Sequence, residues 1–329
     1  MGVSVVGAGA WGTALAKLLA DKGEAVTLWC REPEVAASIR DRQVNEAFLP
    51  DAPLPGTLEA TNELAGAVEG RDLIVVAVPS QFLRSVVEEL ASHIGSEQRL
   101  VSATKGIEEG TLLRMSEVVA DALAFTPDLT AISGPSFAKE VSRGEPTALV
   151  AASATEGSAE TVQSRLSTKS FRVYTSDDVV GVELGGALKN VIALAVGVAS
   201  GLGLGYNPKA ALMARGLKEI ERLAEAMGGK RETLSGLAGM GDLVLTCTGE
   251  LSRNRTVGVA LGQGQPLDAI LGKMRQVAEG VSTTHAAVAL ARRHGVDTPI
   301  AVQMERLLLG EVTAPQAMEE LLARPLKAE

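Results

Sequence analysis

Short apolar runs and longer amphipathic segments alternate along the first half of the chain. The runs are rich in β-branched residues, and the segments between them carry apolar residues at helical spacing. This is the pattern of parallel strands joined by crossover helices. The predicted strands are Val3–Val6, Val26–Cys30, Leu73–Val78, Leu100–Ala103, Thr130–Ser133, Ala148–Ala152 and Phe171–Tyr174. The first half is therefore predicted to be a doubly wound α/β domain.

The second half of the chain has a different pattern, in which apolar residues recur only at helical spacing. The predicted helices are Glu183–Ala199, Pro208–Met227, Thr256–Leu261, Thr283–His294 and Ile300–Leu309. No strand is predicted after the change of pattern. We expect an α/β domain over residues 1–178 and an all-helical domain over residues 179–329.

Length and composition agree with two domains. The chain has 329 residues, of which 46% are hydrophobic and only 3% aromatic. Domains typically contain ~100 to 200 residues, so two cores are expected. Cores built from Ala, Val and Leu rather than aromatic residues favour closely packed helices and parallel strands.

The net charge of −9 argues against general affinity for nucleic acid or an anionic membrane, because both need a basic face. An anionic ligand must then meet a local basic pocket. The two cysteines, Cys30 and Cys247, provide neither a disulfide framework nor metal-ligand spacing, so no metal is expected.

The N-terminus runs directly into an apolar strand, without the features of a secretion signal. The longest apolar stretch, Val191–Gly205, falls short of the ~20 residues that a membrane span needs. We expect a cytoplasmic protein without stable membrane insertion.

A glycine-rich hexapeptide, Gly7-Ala8-Gly9-Ala10-Trp11-Gly12, follows the first predicted strand and opens the first predicted helix. In that position the pattern is typical of dinucleotide binding. Gly7 permits a tight turn, Gly9 lets the backbone approach a diphosphate, and Gly12 lets helix and strand pack closely. The diphosphate would bind at the helix N-terminus, so the first domain is predicted to be Rossmann-like.

The end of the second predicted strand bears on which nicotinamide cofactor is used. NAD-binding versions usually place an acidic residue there, which holds the ribose hydroxyls. Here Arg31 occupies the position and Glu32 follows it. A guanidinium there would pair with a 2′-phosphate, which favours NADP over NAD. Alternatively, Arg31 is solvated and Glu32 holds the ribose.

Two lysines lie where chemistry is plausible. Lys105 follows a predicted strand, and ligands of open parallel sheets bind at the carboxyl ends of strands, although a solvated lysine is an equal alternative. Lys189 lies inside an apolar helix, beside Asn190. Burial of an unpaired ammonium is costly, so such a lysine commonly has a lowered pKa and transfers protons, unless a carboxylate makes it structural.

A third polar segment runs from Gly239 to Arg255. If it is helical, Asp242 and Thr246 share one face, since they are four residues apart. Asp242 could hold Lys189 or relay its proton, or it could only cap a helix. Arg253 offers the forked geometry that binds phosphate.

Taken together, these segments resemble bacterial NAD(P)-dependent glycerol-3-phosphate dehydrogenases, in order and over nearly the whole chain. The segments are the hexapeptide with Thr13-Ala14-Leu15-Ala16, Thr104-Lys105-Gly106, Ser133-Gly134-Pro135-Ser136-Phe137-Ala138, Gly186-Ala187-Leu188-Lys189-Asn190, Gly241-Asp242-Leu243 and Ser252-Arg253-Asn254-Arg255.

The resemblance implies a role for each matching residue. Lys189 would be the catalytic acid/base, with Lys105, Asp242 and Thr246 in its polar network. The residues expected to line the substrate, dihydroxyacetone phosphate or glycerol 3-phosphate, are Lys105, Gly134, Ser136, Lys189, Asp242, Ser252, Arg253 and Asn254. The residues expected to contact NAD or NADP are Gly7, Gly9, Ala10, Trp11, Gly12, Arg31, Lys105, Ala138, Arg253, Val277 and Glu279. The resemblance also implies a homodimer that supplies glycerol 3-phosphate for phospholipid synthesis.

Two other functions fit parts of the pattern. A related hydroxyacid or hydroxyacyl dehydrogenase would share the two domains and a catalytic lysine, but would bind a carboxylate or an acyl carrier. A non-catalytic NAD(P)H sensor would need the hexapeptide but not Lys105, Lys189 and Asp242 together, and buried charges are costly to keep without a role.

Overall fold

The computed structural model describes residues 2–274 and 278–325. The chain divides into two compact units. The N-terminal unit comprises residues 1–105 and 113–183, and the C-terminal unit comprises residues 106–112 and 184–329.

The N-terminal unit is built on an eight-stranded sheet with a small two-stranded sheet beside it. The strands are β1 (Val3–Val6), β2 (Val26–Trp29), β3 (Val44–Asn45), β4 (Leu49–Pro53), β5 (Glu59–Thr61), β6 (Leu73–Val76), β7 (Arg99–Ser102), β8 (Asp128–Ser133), β9 (Thr147–Ala152) and β10 (Phe171–Ser176). The helices are α1 (Ala10–Asp21), α2 (Pro33–Arg42), α3 (Leu64–Val68), α4 (Leu83–Leu90), α5 (Met115–Ala122), α6 (Ala138–Ser142) and α7 (Ser158–Leu166). The order of strands in the large sheet is β10-β9-β8-β7-β6-β1-β2-β5.

Helices cover both faces of the large sheet, which is why its central strands are apolar throughout. β1, β2 and β6 are buried at every position. Leu15 and Leu19 of α1 belong to the apolar cluster on one face, and Val86 and Leu90 of α4 to the cluster on the other. Strands buried on both faces read as continuous apolar runs. The predicted doubly wound α/β class is confirmed.

The large sheet has one antiparallel pair among its otherwise parallel strands. β9 runs antiparallel to β8, and β10 then runs parallel to β9. A parallel connection needs a crossover of a dozen or more residues, usually with a substantial helix. The β8–β9 connection contains only the five-residue α6, and the chain returns beside β8 as an antiparallel strand.

The C-terminal unit is helical over the residues that the structure describes. Its helices are α8 (Val179–Gly201, which begins in the N-terminal unit), α9 (Tyr206–Ala226), α10 (Arg231–Ser235), α11 (Asp242–Thr248), α12 (Arg253–Gly262), α13 (Leu267–Leu271), α14 (Glu279–His294), α15 (Pro299–Leu308) and α16 (Ala314–Leu322). A π-helical turn, Leu237–Gly241, leads into α11.

α8 and α12 approach each other closely through paired glycines. A Cβ on Gly197 would lie 2.3 Å from the Arg255 carbonyl oxygen, and one on Gly201 would lie 2.2 Å from that of Val259. From the other helix, a Cβ on Gly258 would lie 2.2 Å from the Leu194 carbonyl oxygen. Such contacts are too short for any side chain, so glycine fixes the spacing of the two helices.

α8 is also the one helix, among those described, that is long and apolar enough to cross a membrane. Within the structure 89% of its most apolar window is buried. That burial is typical of the core helix of a folded unit.

A buried carboxylate joins α9 to α15. Glu219 is 4% exposed, and its two oxygens accept hydrogen bonds from the backbone N–H groups of Ile300 (2.7 Å) and Ala301 (3.3 Å). Burial raises the pKa of Glu219 to about 7, although those hydrogen bonds oppose the shift. The folded unit therefore keeps a proton that an unfolded chain releases at lower pH.

We expect this carboxylate to make the unit less stable as pH rises. The pKa is about 7 in the folded state against a reference value of 4.5. The stabilising contribution is thus complete below the lower value and is lost as pH rises through the higher one, by roughly 3 kcal/mol in total. Urea unfolding across this pH range should show the decrease in wild type and not in Glu219→Gln. An identical pH profile for the variant would contradict the assignment.

Candidate active site

The glycine hexapeptide forms the turn between β1 and α1. Gly7 has φ +113°, and a Cβ there would lie 2.7 Å from the Ala77 carbonyl oxygen. A Cβ on Gly12 would lie 1.9 Å from the Gly7 carbonyl oxygen, whereas one on Gly9 would meet no atom within 4 Å. Gly7 and Gly12 are thus needed for the turn itself, and Gly9 leaves open space at the N-terminus of α1. An anionic diphosphate fits that space, because helix N-termini attract anions.

The other predicted cofactor residues of this unit lie nearby or at the edge of the sheet. Three of them, Ala10, Trp11 and Ala138, are half-buried against the apolar cluster that contains Leu15 and Leu19 of α1. Arg31 is exposed at the end of β2, and its guanidinium lies over the Phe82 ring, 5.1 Å from the centroid. An exposed guanidinium held over an aromatic ring is suited to a planar or phosphorylated ligand group.

A second group of predicted residues meets at the carboxyl ends of β7 and β8. The Lys105 ammonium donates a hydrogen bond to the Gly134 carbonyl (3.2 Å), and the Ser136 hydroxyl donates to the same oxygen (3.0 Å). Gly134 has φ +148°, and a Cβ there would lie 2.8 Å from the Leu149 Cα. The structure therefore brings Lys105, Gly134 and Ser136 together.

A third group centres on Lys189, which forms an ion pair with Asp242. Lys189 is 7% exposed and Asp242 is 1% exposed. The pairing follows from the helix geometry. A Cβ on Gly185 would lie 2.5 Å from the Ala238 carbonyl oxygen, so α8 touches the π-helical turn there. Four residues further along each segment, one helical turn, Lys189 meets Asp242.

The π-helical turn before Asp242 forms part of this contact between α8 and α11. The Gly241 N–H donates to the Gly236 carbonyl (3.0 Å), and a Cβ on Gly239 would lie 2.0 Å from the Leu234 carbonyl oxygen. π-Helical turns occur frequently at functional sites. Gly241 is the N-cap of α11, so Asp242 is the first residue of the helix rather than its cap. The ion-pair interpretation of Asp242 is the one that the geometry supports.

Thr246 and Cys247 lie on the next turn of α11. The Thr246 hydroxyl donates to the Asp242 backbone carbonyl (2.7 Å), so Thr246 lies on the Asp242 face, as predicted, but bonds to backbone rather than to the carboxylate. Burial raises the pKa of Cys247 to about 12, despite the opposing charges of Lys189 and Arg255. Burial likewise raises the pKa of Cys30 to about 12. Both thiols are buried and have a raised pKa, whereas reactive cysteines are partly exposed and have a lowered pKa.

The predicted phosphate segment forms the start of α12. The Ser252 hydroxyl oxygen accepts from the Arg255 N–H (3.3 Å) and caps the helix, and Arg253 is exposed in its first turn. The Asn254 Oδ1 accepts the Gly280 N–H (2.9 Å) from the first turn of α14. A Cβ on Gly280 would lie 2.8 Å from that oxygen and 2.9 Å from the carbonyl oxygen of Asn190. Asn254 is thus held beside the residue that follows Lys189.

The two remaining predicted cofactor contacts are in or just before α14. Glu279 is half-buried in the first turn of that helix. Val277 lies outside the described residues.

Several residues around these groups were not foreseen. Phe82 supports Arg31, Gly280 holds Asn254, and Asn45 donates hydrogen bonds into the glycine turn. Each acts on a residue far away in sequence, and none carries a local pattern that single-sequence reasoning could use.

A dinucleotide turn on a Rossmann-like sheet and a buried lysine–carboxylate pair in the helical unit of the same chain define a nicotinamide-dependent dehydrogenase. The chain belongs to the NAD-dependent glycerol-3-phosphate dehydrogenase family. The N-terminal part of that family matches residues 2–159, and its C-terminal part matches residues 178–319.

Individual relatives agree over the full length. Proteins named glycerol-3-phosphate dehydrogenase (NAD(P)+) from Koribacter versatilis (strain Ellin345) and Geobacter sulfurreducens are each 53% identical over 331 residues, covering 99% of this chain and 98% of the relative. The crystal structure of glycerol-3-phosphate dehydrogenase from Coxiella burnetii is 42% identical and covers 98% of both chains, with a TM-score of 0.94. The chain is accordingly an NAD(P)-dependent oxidoreductase.

Proposed function

We propose that the chain reduces the C2 carbonyl of dihydroxyacetone phosphate to give glycerol 3-phosphate, with Lys189 as the general acid. The observation that carries the proposal is the buried ion pair between Lys189 and Asp242. Both side chains are nine-tenths or more buried, Lys189 in the mostly apolar helix α8 and Asp242 at the start of α11. Buried charge of this kind is costly, and a buried charge with a specific partner is a candidate for a functional site.

The reaction needs one hydride and one proton. Bound at the glycine turn, NADPH or NADH would supply the hydride to C2. The Lys189 ammonium donates a hydrogen bond to the carbonyl oxygen, which polarises the bond, and then gives its proton to the oxygen as charge develops there. Asp242 orients the lysine, because its carboxylate is paired with the ammonium. Lys105 adds positive charge that stabilises the alkoxide.

The phosphate of the substrate would be held at the start of α12. Arg253 offers two parallel N–H donors, and the Asn254 side-chain NH₂ is directed by the bond from Gly280 to its oxygen. The first-turn N–H groups of α12 add to the attraction for an anion. Binding energy from this non-reacting group orients the carbonyl towards Lys189.

Turnover assays of the purified chain test the function. We expect oxidation of NADPH or NADH that depends on dihydroxyacetone phosphate. Turnover of 3-hydroxy acids without turnover of glycerol 3-phosphate would instead support a hydroxyacid dehydrogenase. Binding of NADPH without any turnover would support a non-catalytic NAD(P)H sensor.

Arg31 tests the choice of cofactor. We propose that NADPH is preferred, because the guanidinium of Arg31 at the end of β2 can pair with a 2′-phosphate. Arg31→Ala should raise KM for NADPH roughly tenfold or more, since charged hydrogen bonds contribute about 1.5 to 3 kcal/mol, and leave KM for NADH nearly unchanged. Arg40→Ala, a second arginine of the same unit, serves as the control. Equal changes in KM for NADPH and for NADH would show that Arg31 does not bind the 2′-phosphate.

We also propose that residues 1–178 bind the cofactor and residues 179–329 the substrate, and that the protein acts as a cytoplasmic homodimer supplying glycerol 3-phosphate for phospholipid synthesis. The family resemblance and the acidic net charge support this. Light scattering at micromolar concentration should give the mass of two chains.

A further inference from the structure

We propose that Asn45 is a positioning residue for the cofactor, which aims a backbone N–H of the glycine turn at the diphosphate. The proposal rests on the proposed binding of the cofactor diphosphate at this turn. Asn45 lies in β3, in the short β3–β4 segment between α2 and β5. It is fully buried, and it is remote in sequence from the hexapeptide.

Asn45 is hydrogen-bonded at each of its polar atoms. Its Nδ2 donates to the Ala8 carbonyl (2.8 Å) and to the Thr13 hydroxyl oxygen (2.8 Å). Its Oδ1 accepts the Phe48 N–H (3.1 Å). The bond from Phe48 fixes which side-chain atom is the acceptor, so the NH₂ group must face Ala8 and Thr13.

These bonds determine the orientation of one peptide group of the turn. The Ala8 carbonyl also accepts a hydrogen bond from the Thr13 hydroxyl (3.2 Å), so two donors hold it towards the interior. In a trans peptide the C=O and the following N–H point in opposite directions. With the Ala8 carbonyl turned inwards, the Gly9 N–H is turned away from those donors. A Cβ on Gly9 would meet no atom within 4 Å, so there is open space at this residue.

The flanking residues make such a clamp necessary. Ala8 stands between Gly7 and Gly9, and glycine has wide conformational freedom. Without a fixed carbonyl, the peptide could rotate and carry its N–H away from the ligand. Asn45 therefore supplies preorganisation, which lowers the cost of ordering the turn when the anion binds.

Asn45→Leu tests the proposal, because leucine is similar in size and apolar. Loss of an aimed N–H to a charged oxygen should weaken NADPH binding roughly ten- to a hundredfold. ADP, which keeps the diphosphate, should lose affinity to a similar degree, whereas adenosine should bind as it does to wild type. KM for the cofactor should rise, with KM for dihydroxyacetone phosphate and kcat nearly unchanged.

Thr13→Val is the matched control. It removes two hydrogen bonds of this network, one of them the longer bond to the Ala8 carbonyl (3.2 Å), but it leaves the shorter bond from Asn45 to Ala8 (2.8 Å) in place. We expect a comparable loss of thermal stability with a change of only a few-fold in the dissociation constant for NADPH. Equal losses of affinity in the two variants, or an unchanged dissociation constant in Asn45→Leu, would overturn the proposal.

A third variant covers the case in which Asn45→Leu does not fold. Asn45→Asp keeps the acceptor for the Phe48 N–H but replaces the donor to Ala8. Its weaker binding of ADP should persist at high ionic strength, because misorientation is not screened as charge repulsion is. Full recovery of affinity in salt would contradict the proposal. If wild type binds NADPH but shows no turnover, the proposed function fails, and the effect of Asn45 on ADP binding can still be measured.

Discussion

Lys189→Ala should lower kcat by about three orders of magnitude or more, because the variant loses both the proton donor and the charge facing the carbonyl oxygen. The dissociation constant for NADPH should stay within a few-fold of wild type. Single-turnover measurement with dihydroxyacetone phosphate, together with NADPH titration by fluorescence, gives both numbers. Lys218→Ala, a partly exposed lysine of the same unit, is the control and should retain full activity.

Stability must be separated from chemistry in this experiment. Removal of Lys189 leaves the Asp242 carboxylate buried without its cation, which typically costs about 3 to 5 kcal/mol. A double variant, Lys189→Met with Asp242→Leu, removes both charges and should recover most of that stability without recovering turnover. Wild-type activity in the double variant would show that the ion pair is structural.

Gly258→Ala should have the second largest effect. The new Cβ would lie 2.2 Å from the Leu194 carbonyl oxygen, a backbone atom that cannot rotate away. Overpacking of this kind costs about 1 to 3 kcal/mol, which lowers Tm by several degrees. The separation of α8 from α12 should also raise KM for dihydroxyacetone phosphate, because α12 carries Arg253 and α8 carries Lys189.

A glycine with open space provides the control for that result. Gly66 lies within α3, and a Cβ there would meet no atom within 4 Å. Gly66→Ala should therefore be neutral or slightly stabilising, since alanine favours the helix. If Gly258→Ala matched Gly66→Ala in both Tm and KM, the close glycine contact would not determine the geometry of the site.

The parts of the fold that could be predicted from sequence are those buried on all sides. β1, β6 and β7 coincide with predicted strands within two residues, because central strands must be apolar. The small strands β3, β4 and β5 were missed. β4 alternates buried and exposed positions irregularly and contains two prolines, Pro50 and Pro53, so it lacks the period of a strand.

In the helical unit the long helices were predicted, and the short ones were not. α8, α9 and α14 begin a few residues before their predicted starts. α10, α13 and α16 are five to nine residues long, too short to establish a period of 3.6. The π-helical turn depends on a contact between Gly239 and Leu234 and has no sequence period of its own.

In the candidate site, too, the residues that could be predicted are those with a local sequence pattern. The glycine hexapeptide could be predicted because its function requires local geometry, and Lys189 because a charge stands out in an apolar helix. The pairing of Asp242 with Lys189 was predicted only from their opposite charges. The register that aligns Gly185 with Ala238 is what brings the two charges together, and that register is set by packing between segments about fifty residues apart.

The apolar character of α8 has a consequence for synthesis. A ribosome releases α8 well before α12 and α14, whose backbones later cover it. During that interval α8, which is apolar enough to enter a lipid bilayer, is without its packing partners. Exposed apolar surface of this kind promotes aggregation. We therefore expect the yield of soluble protein to depend on chaperones that hold the chain at this stage. Glycine-to-alanine changes that delay the docking of α12 should increase that dependence.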